Sequence, residues 1–488
     1  MPEPVGSAPY ARRYGDLGVE ADHAHAVILA PERIPRPGLA AGTVLERLPA
    51  CWQPSVMAES PPRSALVRLS VAGLVSPLGD SMAVLALILY VQRAGRSGLA
   101  VGLLLLADSA GPLFSPLAGA LADRVDRRRL LVATAGAQAV VVAVIAAWLP
   151  PWPVLVVLVV ARSLGGAGMH PALMAVVPSL TSPTRLPRAN ALLAGGAELG
   201  AVLGPPLAGW LLAPVGTRGV MAVDAASFVV AAALFAGLRP RGRADAEVGA
   251  TTGDSGPGST WSDLREGVRY LWSDRLVRAV TLGFWLVVLA TAADDLALPF
   301  LGRDTLHTGP VGIGLLLSGA SIGVVAGLAS ISVRRARRTA APPRRLDAQD
   351  GGGPGGRRLA GLYAGLGLAS AGNLLTAPAS AVAAAVAAQT VRGIGLALVD
   401  TDLQTFLQRR VDDRFLGRVM GNVWGGVGVA AAISYAAGGP VLDATSPRTL
   451  FVIIGAAGLA ATAGSGWFAY RNRRLPAQAA APGPTCAP

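Results

Sequence analysis

Apolar residues in this chain come in long runs of twenty or more, separated by shorter segments that carry most of the arginines. A helix needs about 20 mainly apolar residues to cross the hydrocarbon core of a bilayer. Twelve runs meet that length, at about 66–91, 98–121, 129–149, 153–178, 190–214, 217–238, 277–301, 309–333, 358–377, 379–403, 416–439 and 448–470. They are continuous, unlike the ten-residue alternations of a membrane β-barrel. Their many glycines are ordinary in membrane helices, where small residues let backbones approach. The pattern predicts an all-α integral membrane protein with twelve transmembrane helices in two six-helix bundles.

Composition agrees. Of 488 residues, 52% are hydrophobic and 15% charged, against roughly 25% charged in soluble domains. That nearly excludes a soluble enzyme, a disordered protein and a disulfide scaffold. All 42 basic residues are arginine. Leaving out the first 62 residues, 30 arginines fall in segments that are cytoplasmic if the N-terminus is inside, and five fall outside: Arg93, Arg96, Arg218, Arg303 and Arg448. This asymmetry predicts a multi-pass plasma-membrane protein with both termini cytoplasmic. The net charge of +13 is then a property of loops. No basic helix with interleaved aromatics points to nucleic acid. Cys51 and Cys486 form no CxxC pattern, and the four histidines are scattered, so neither a metal nor a cofactor is expected.

Five segments are expected: a disordered leader 1–62, a bundle 63–238, a cytoplasmic linker 239–276, a bundle 277–470 and a cytoplasmic tail 471–488. Met57 reads well as a start, so residues 1–56 are expected to be disordered or a start-site artefact. In the linker, Trp261, Leu264, Val268, Leu271 and Trp272 share one helical face, opposite Asp263, Arg265, Glu266 and Arg269. That is an amphipathic helix suited to the inner membrane surface.

The halves repeat weakly. Arg162 begins RSLG and Arg392 begins RGIG; both arginines sit inside spans. Gly111, Ser115 and Gly119 recur every four residues in the second span, as do Gly319, Gly323 and Gly327 in the eighth. Duplicated six-helix halves are a transporter signature.

Three motifs follow. GALADRVDRRRL at 119–130 joins Gly119 to Asp123, Arg124, Arg127 and Arg128 in the loop after the second span. A carboxylate there suits the positive N-terminus of another helix. LVVARSLGGAG at 158–168 sets Arg162 before a glycine cluster. In and just before ELGAVLGPPLAGW at 198–210, Gly196, Gly200, Gly204 and Ala208 form a small-residue stripe kinked by Pro205 and Pro206, and Gly200, Gly204, Pro205 and Gly209 are its packing candidates. These resemble the loop, fourth-span and fifth-span patterns of the major facilitator superfamily, with Asp126 where the loop pattern has glycine. VSPLGDSM, PSLTSPTRLPRANALL and LREGVRYLW look like its bacterial drug- and siderophore-exporter branch. The resemblance covers about residues 64–470. It implies two pseudo-symmetric bundles, an inner gate at Asp123 and Arg124, and antiporter-like packing in the fifth span.

Ionisable groups inside spans are costly and functional by default. The candidates for proton coupling are Asp80, Asp108, Arg162, Glu198, Asp294 and Asp295. Asp80 and Asp108 rank first and second, Glu198 third. From about 1.5 Å per residue, Asp80, Asp108 and Arg162 lie roughly 13–16 Å below the outer surface. Asp224 lies near an outer helix end and is expected to be hydrated; Asp400 and Asp402 are expected at the inner surface. His170 reads as a cavity-wall hydrogen bonder, and Asn373, Gln389 and Trp424 as cavity residues. The expected activity is secondary active transport, with proton-coupled export of a drug, natural product or siderophore by alternating access. The expected partners are that small molecule, protons and lipid, with the protein monomeric. Uptake, uncoupled transport, or a non-transporting receptor or regulator stay open as alternatives. No Walker motif or HExxH supports an ATP-driven pump or an enzyme.

Overall fold

Long apolar runs with little sequence signal for strands fold here as helices, since each helix satisfies its own backbone in lipid. The computed structural model describes residues 63–95, 97–113, 125–181, 186–238, 259–340 and 354–472, all in one unit. The predicted leader lies outside the described residues, as do Gly119, Asp123 and Arg124 of the expected inner gate.

Fifteen helices are used below. They are α1 (Arg63–Arg93), α2 (Gly98–Asp108), α3 (Ala110–Leu113), α4 (Arg127–Trp148), α5 (Trp152–Gly166), α6 (Met169–Leu180), α7 (Leu186–Ala236) and α8 (Ser259–Ser273). The rest are α9 (Arg275–Thr291), α10 (Asp294–Phe300), α11 (Pro310–Ala340), α12 (Pro354–Thr376), α13 (Val382–Arg410), α14 (Asp413–Ala444) and α15 (Pro447–Asn472). Among the described residues, nine helical stretches are long and apolar enough to cross a membrane, and α2 and α5 are shorter apolar helices. The fold is an all-α integral membrane fold.

The predicted spans correspond to these helices with instructive differences. Predicted spans five and six form one stretch, α7, turned at Gly216, whose φ of 64° is open to glycine without a Cβ clash. Predicted span two stops at Asp108 and restarts at Ala110; its inner part lies outside the described residues. Predicted span four is interrupted at Ala167 and Gly168, and span seven at Ala292 and Ala293. Two N-caps explain sharp helix starts. Asp126 accepts from Arg129 N at 2.8 Å, and Asp274 from Leu276 N at 2.8 Å and Val277 N at 3.1 Å. Asp126, which replaces a glycine of the family pattern, has a φ of −56° and needs no left-handed turn.

Packing separates the two ends of the molecule. One apolar core, around Leu69, Leu131, Val176 and Phe235, is built from residues before 239. A second, around Val277, Phe284, Leu403 and Val423, is built from residues after 270. A third joins the halves, with Leu87, Val101 and Phe228 packed together with Leu296, Phe300, Leu442 and Phe451. The halves therefore share a core at the end where α1 leads into α2 and α10 leads into α11.

The amphipathic helix α8 docks on α14 more than its sequence suggests. Tyr270 stacks on Phe415 at 5.1 Å, Glu266 pairs with Arg418, and Leu271 is buried. Arg410 of α13 binds Asp274 at 2.9 Å, just after α8. Val268 and Trp272 keep part of the apolar face exposed.

Candidate functional site

Arg162 projects from α5 and is buried. A guanidinium in a helix bundle needs carboxylates or water around it, and three carboxylates surround this one. Asp80 of α1 pairs with it at 2.5 Å, Asp108 of α2 pairs with its other terminal nitrogen, and Asp224 of α7 lies 3.9 Å away. Asp80 and Asp108 keep 38% and 30% of their side-chain surface, whereas Asp224 keeps none. The expectation that Asp224 is hydrated is thus corrected. The turn at Gly216 sends the second part of α7 back against α1, where Ser227 Oγ donates to the Asp224 carbonyl at 2.8 Å. Gly79 makes this approach possible: a Cβ there would sit 2.6 Å from Asp224 Oδ1.

The cluster lies at a helix break. Where α2 stops after Asp108, Ser163 Oγ accepts from Gly111 N at 2.7 Å and donates to the Asp108 carbonyl. One hydroxyl beside Arg162 thus serves two backbone groups freed by the break. Discontinuous helices of this kind form substrate and ion sites in transporters.

A second cluster occupies the other half. Arg392 of α13 faces Asp294 at 2.6 Å, and Tyr435 of α14 donates to Asp295 at 3.1 Å. It too lies at a break, between α9 and α10, where Ser434 Oγ accepts from Ala293 N at 3.0 Å. Sequence reading marked Asp294 and Asp295 but missed Arg392 and Tyr435 as their partners; the RSLG/RGIG repeat was the available signal. Glu198 joins neither cluster: it is half-buried on α7, within electrostatic reach of Asp400 of α13.

The fifth-span packing glycines divide between two neighbours. Gly200 and Gly204 pack on α1, where a Cβ would lie 2.7 Å from Leu78 N and from Ser81 Cβ respectively. Gly209 faces Pro310 of α11, and the Pro205 carbonyl faces Gly314. Ser318 of α11 donates to the Val202 carbonyl at 2.7 Å. The α7–α11 seam thus joins the halves, and α2–α14 forms a second seam. There Asp443 accepts from Gly98 N at 2.5 Å and Leu99 N at 3.0 Å. This is a carboxylate on a helix N-terminus, the contact expected of Asp123, found on a different helix pair. Of the predicted gate loop, Arg128 donates to the Ala236 carbonyl, and Arg127 is engaged with neighbours.

Other polar residues serve packing. Gln389 and Asn373 are wholly buried, and Gln389 Nε2 donates to Thr376 Oγ1 at 3.1 Å and Asn373 Oδ1 at 3.4 Å. Their expected place on a cavity wall is corrected by that burial. Trp424 is partly exposed and meets Phe284 edge-on. The side chain of His170 lies outside the described residues. Among the described residues, no three His, Cys, Asp or Glu side chains are placed to hold a metal ion, the three carboxylates around Arg162 included.

Comparison with known proteins places this architecture. The sequence profile of the Major Facilitator Superfamily matches residues 69–346. The chain belongs to that superfamily of membrane transporters. The multidrug efflux pump Tap of Mycobacterium tuberculosis is 28% identical over 403 residues, 78% of this chain and 88% of that protein. Macrolide efflux protein A of Streptococcus pyogenes is 28% identical over 172 residues, 34% of this chain; the match spans 42% of that relative's length. The nucleoside transporter NupG shares the fold with a TM-score of 0.65 and 11% identity, over 83% of this chain and 99% of that one.

Proposed function

We propose that this protein is a proton-driven exporter of a small, partly apolar organic molecule in a bacterial plasma membrane. One observation carries the reading: Arg162 is shared by three carboxylates, two of which reach solvent, at a broken helix. Fully ionised, the four groups carry two negative charges in excess. Such a cluster takes up protons or a cation to approach neutrality. Asp80 and Asp108, the two that reach solvent, are the loading sites. The names of the relatives Tap and macrolide efflux protein A support export of an organic compound. The arginine asymmetry supports cytoplasmic termini. With that orientation, the shared core closes the outer end. Asp123 and Arg124 then close the opposite end in the alternate state.

The test is a substrate panel in everted membrane vesicles with an imposed pH gradient. Asp80→Asn and Asp108→Asn are expected to fold, to exchange substrate, and to lose gradient-driven accumulation. Accumulation retained in both variants at normal expression removes Arg162's cluster as the coupling site.

A further inference from the structure

We infer that the rim where α8 joins α9 binds an anionic phospholipid, its phosphate between Arg278 and Arg471 and its acyl chain along α9. The inference is independent of the export reading, since it needs only a membrane around the helices.

Helix packing brings the two arginines together. A Cβ on Gly283 of α9 would sit 2.6 Å from Ser465 Cβ of α15, and a Cβ on Gly458 of α15 would sit 2.6 Å from Thr291 Cγ2 of α9. These two contacts fix an antiparallel register. Continued toward the start of α9, it sets Arg278 level with Arg471, near the end of α15. Ala279 and Ala469 are buried in one core at that level. Each arginine lies over an indole. Arg278 is 5.9 Å from the centre of the Trp272 ring and donates to the Trp272 carbonyl at 2.9 Å; Arg471 is 5.5 Å from the centre of the Trp467 ring. Trp272 and Trp467 are 47% and 63% exposed. Indoles this open at the ends of membrane helices belong at headgroup level, where an apolar ring meets water. The nearby acids do not offset the charge: Glu266 pairs with Arg418, and Asp274 with Arg410.

The apolar part of the site has a direction. Leu282, Leu286 and Leu289 follow Arg278 at steps of four, four and three on the same face of α9, and all three are exposed. A guanidinium heading a row of outward leucines matches a phosphate heading an acyl chain. A soluble phosphate compound would use the charge and leave the leucines idle, so the lipid is the better fit. Two planar guanidiniums at one level suit a phosphodiester, which accepts from both. The site also has a reach beyond itself. The Glu266–Arg418 pair and the Tyr270–Phe415 stack fasten α8 to α14, and Asp274 fastens its exit to α13. A lipid gripping Trp272 and Arg278 stiffens this junction and links membrane composition to movement of α13 and α14.

The test is native mass spectrometry of the full-length purified protein, titrated with phosphatidylglycerol or with zwitterionic phosphatidylcholine of the same chains. Tighter retention of phosphatidylglycerol is expected. Each arginine at an anionic lipid surface contributes roughly fivefold in affinity, so Arg278→Gln with Arg471→Gln is expected to weaken the tightest binding step about thirtyfold. Arg334→Gln with Arg409→Gln removes two exposed arginines from other helix ends and is expected to leave that step unchanged. Equal binding of both lipids by the parent protein, or an equal loss in the two double variants, overturns the proposal. So does displacement of the lipid by glycerol 3-phosphate at matching concentration. Should Arg278→Gln with Arg471→Gln fail to fold, Trp467→Leu decides: it keeps every charge, alters an exposed position and is expected to weaken binding several-fold. Unchanged affinity in that variant overturns the proposal equally.

Discussion

Arg162 and Arg392 stand 230 positions apart, and each lies beside a helix break whose freed backbone N–H is taken by a serine hydroxyl. In the first half the serine is Ser163, next to the arginine itself. In the second it is Ser434, next to Tyr435, on a different helix. The first cluster has three carboxylates, two of them about a third exposed; in the second, Asp294 is sealed. The two halves thus carry the arginine at matching places, spans four and ten. The break falls in span two of the first half but in span seven, the counterpart of span one, in the second, and the carboxylates and their access to water differ. Water decides what each cluster can exchange. The first exposes two carboxylates to a solute, whereas the second exposes only Asp295, and that in part.

The contrast in access can be broken most directly by removing each arginine. Removing one partner of a buried pair costs about 3–5 kcal/mol. Arg392→Met is expected to approach that, because Asp294 has no water to fall back on. Arg162→Met is expected to cost less, because Asp80 and Asp108 retain hydration, although it abolishes coupling. Thermal unfolding midpoints in detergent at pH 8 compare the two, and an equal or larger loss in Arg162→Met breaks the contrast. Gly79→Ala sharpens it from the first half alone. Its new methyl meets Asp224 and Ser227, and overpacking of this kind costs about 1–3 kcal/mol. A midpoint matching the parent protein shows that Asp224 has room the geometry denies it. The smallest effect is expected at Asp443→Asn. A carboxylate on a helix N-terminus contributes about 0.3–1 kcal/mol, up to about 2 when partly buried. Spin labels at Ser97→Cys and Ser446→Cys should then report a several-fold larger population of the longer distance. An unchanged distribution means that the α2–α14 seam holds without that charge.

Much of this was legible as pattern. Continuous apolar runs specified membrane helices, and charges within them pointed to Arg162, Asp80 and Asp108 at similar depth. What stayed hidden depended on how helices stop and turn. Asp224 lies a few residues from the end of its run, a place that reads as hydrated; the turn at Gly216 folds it against α1 and beneath Arg162. The break at Ser109 is announced locally by Gly111 and Pro112, because Pro112 has no N–H for the Asp108 carbonyl; no proline marks the break at Ala292. The rest of their trace was indirect: a polar residue beside each break, and a serine on the helix that covers it. Gly200 and Gly204 share one helical face and meet α1, whereas Gly209, nine residues beyond Gly200, falls on the opposite face and meets α11. Spacing gives a face, and only packing says what lies across from it.

The apolar core that joins the halves has a thermal consequence. Parting them at that end brings side chains such as Leu296 and Leu442 into contact with water. Hydration of apolar surface raises heat capacity and is driven by entropy near room temperature. The opening step at this end should therefore show a curved temperature dependence, with cooling loosening the shared core relative to the polar clusters beneath it.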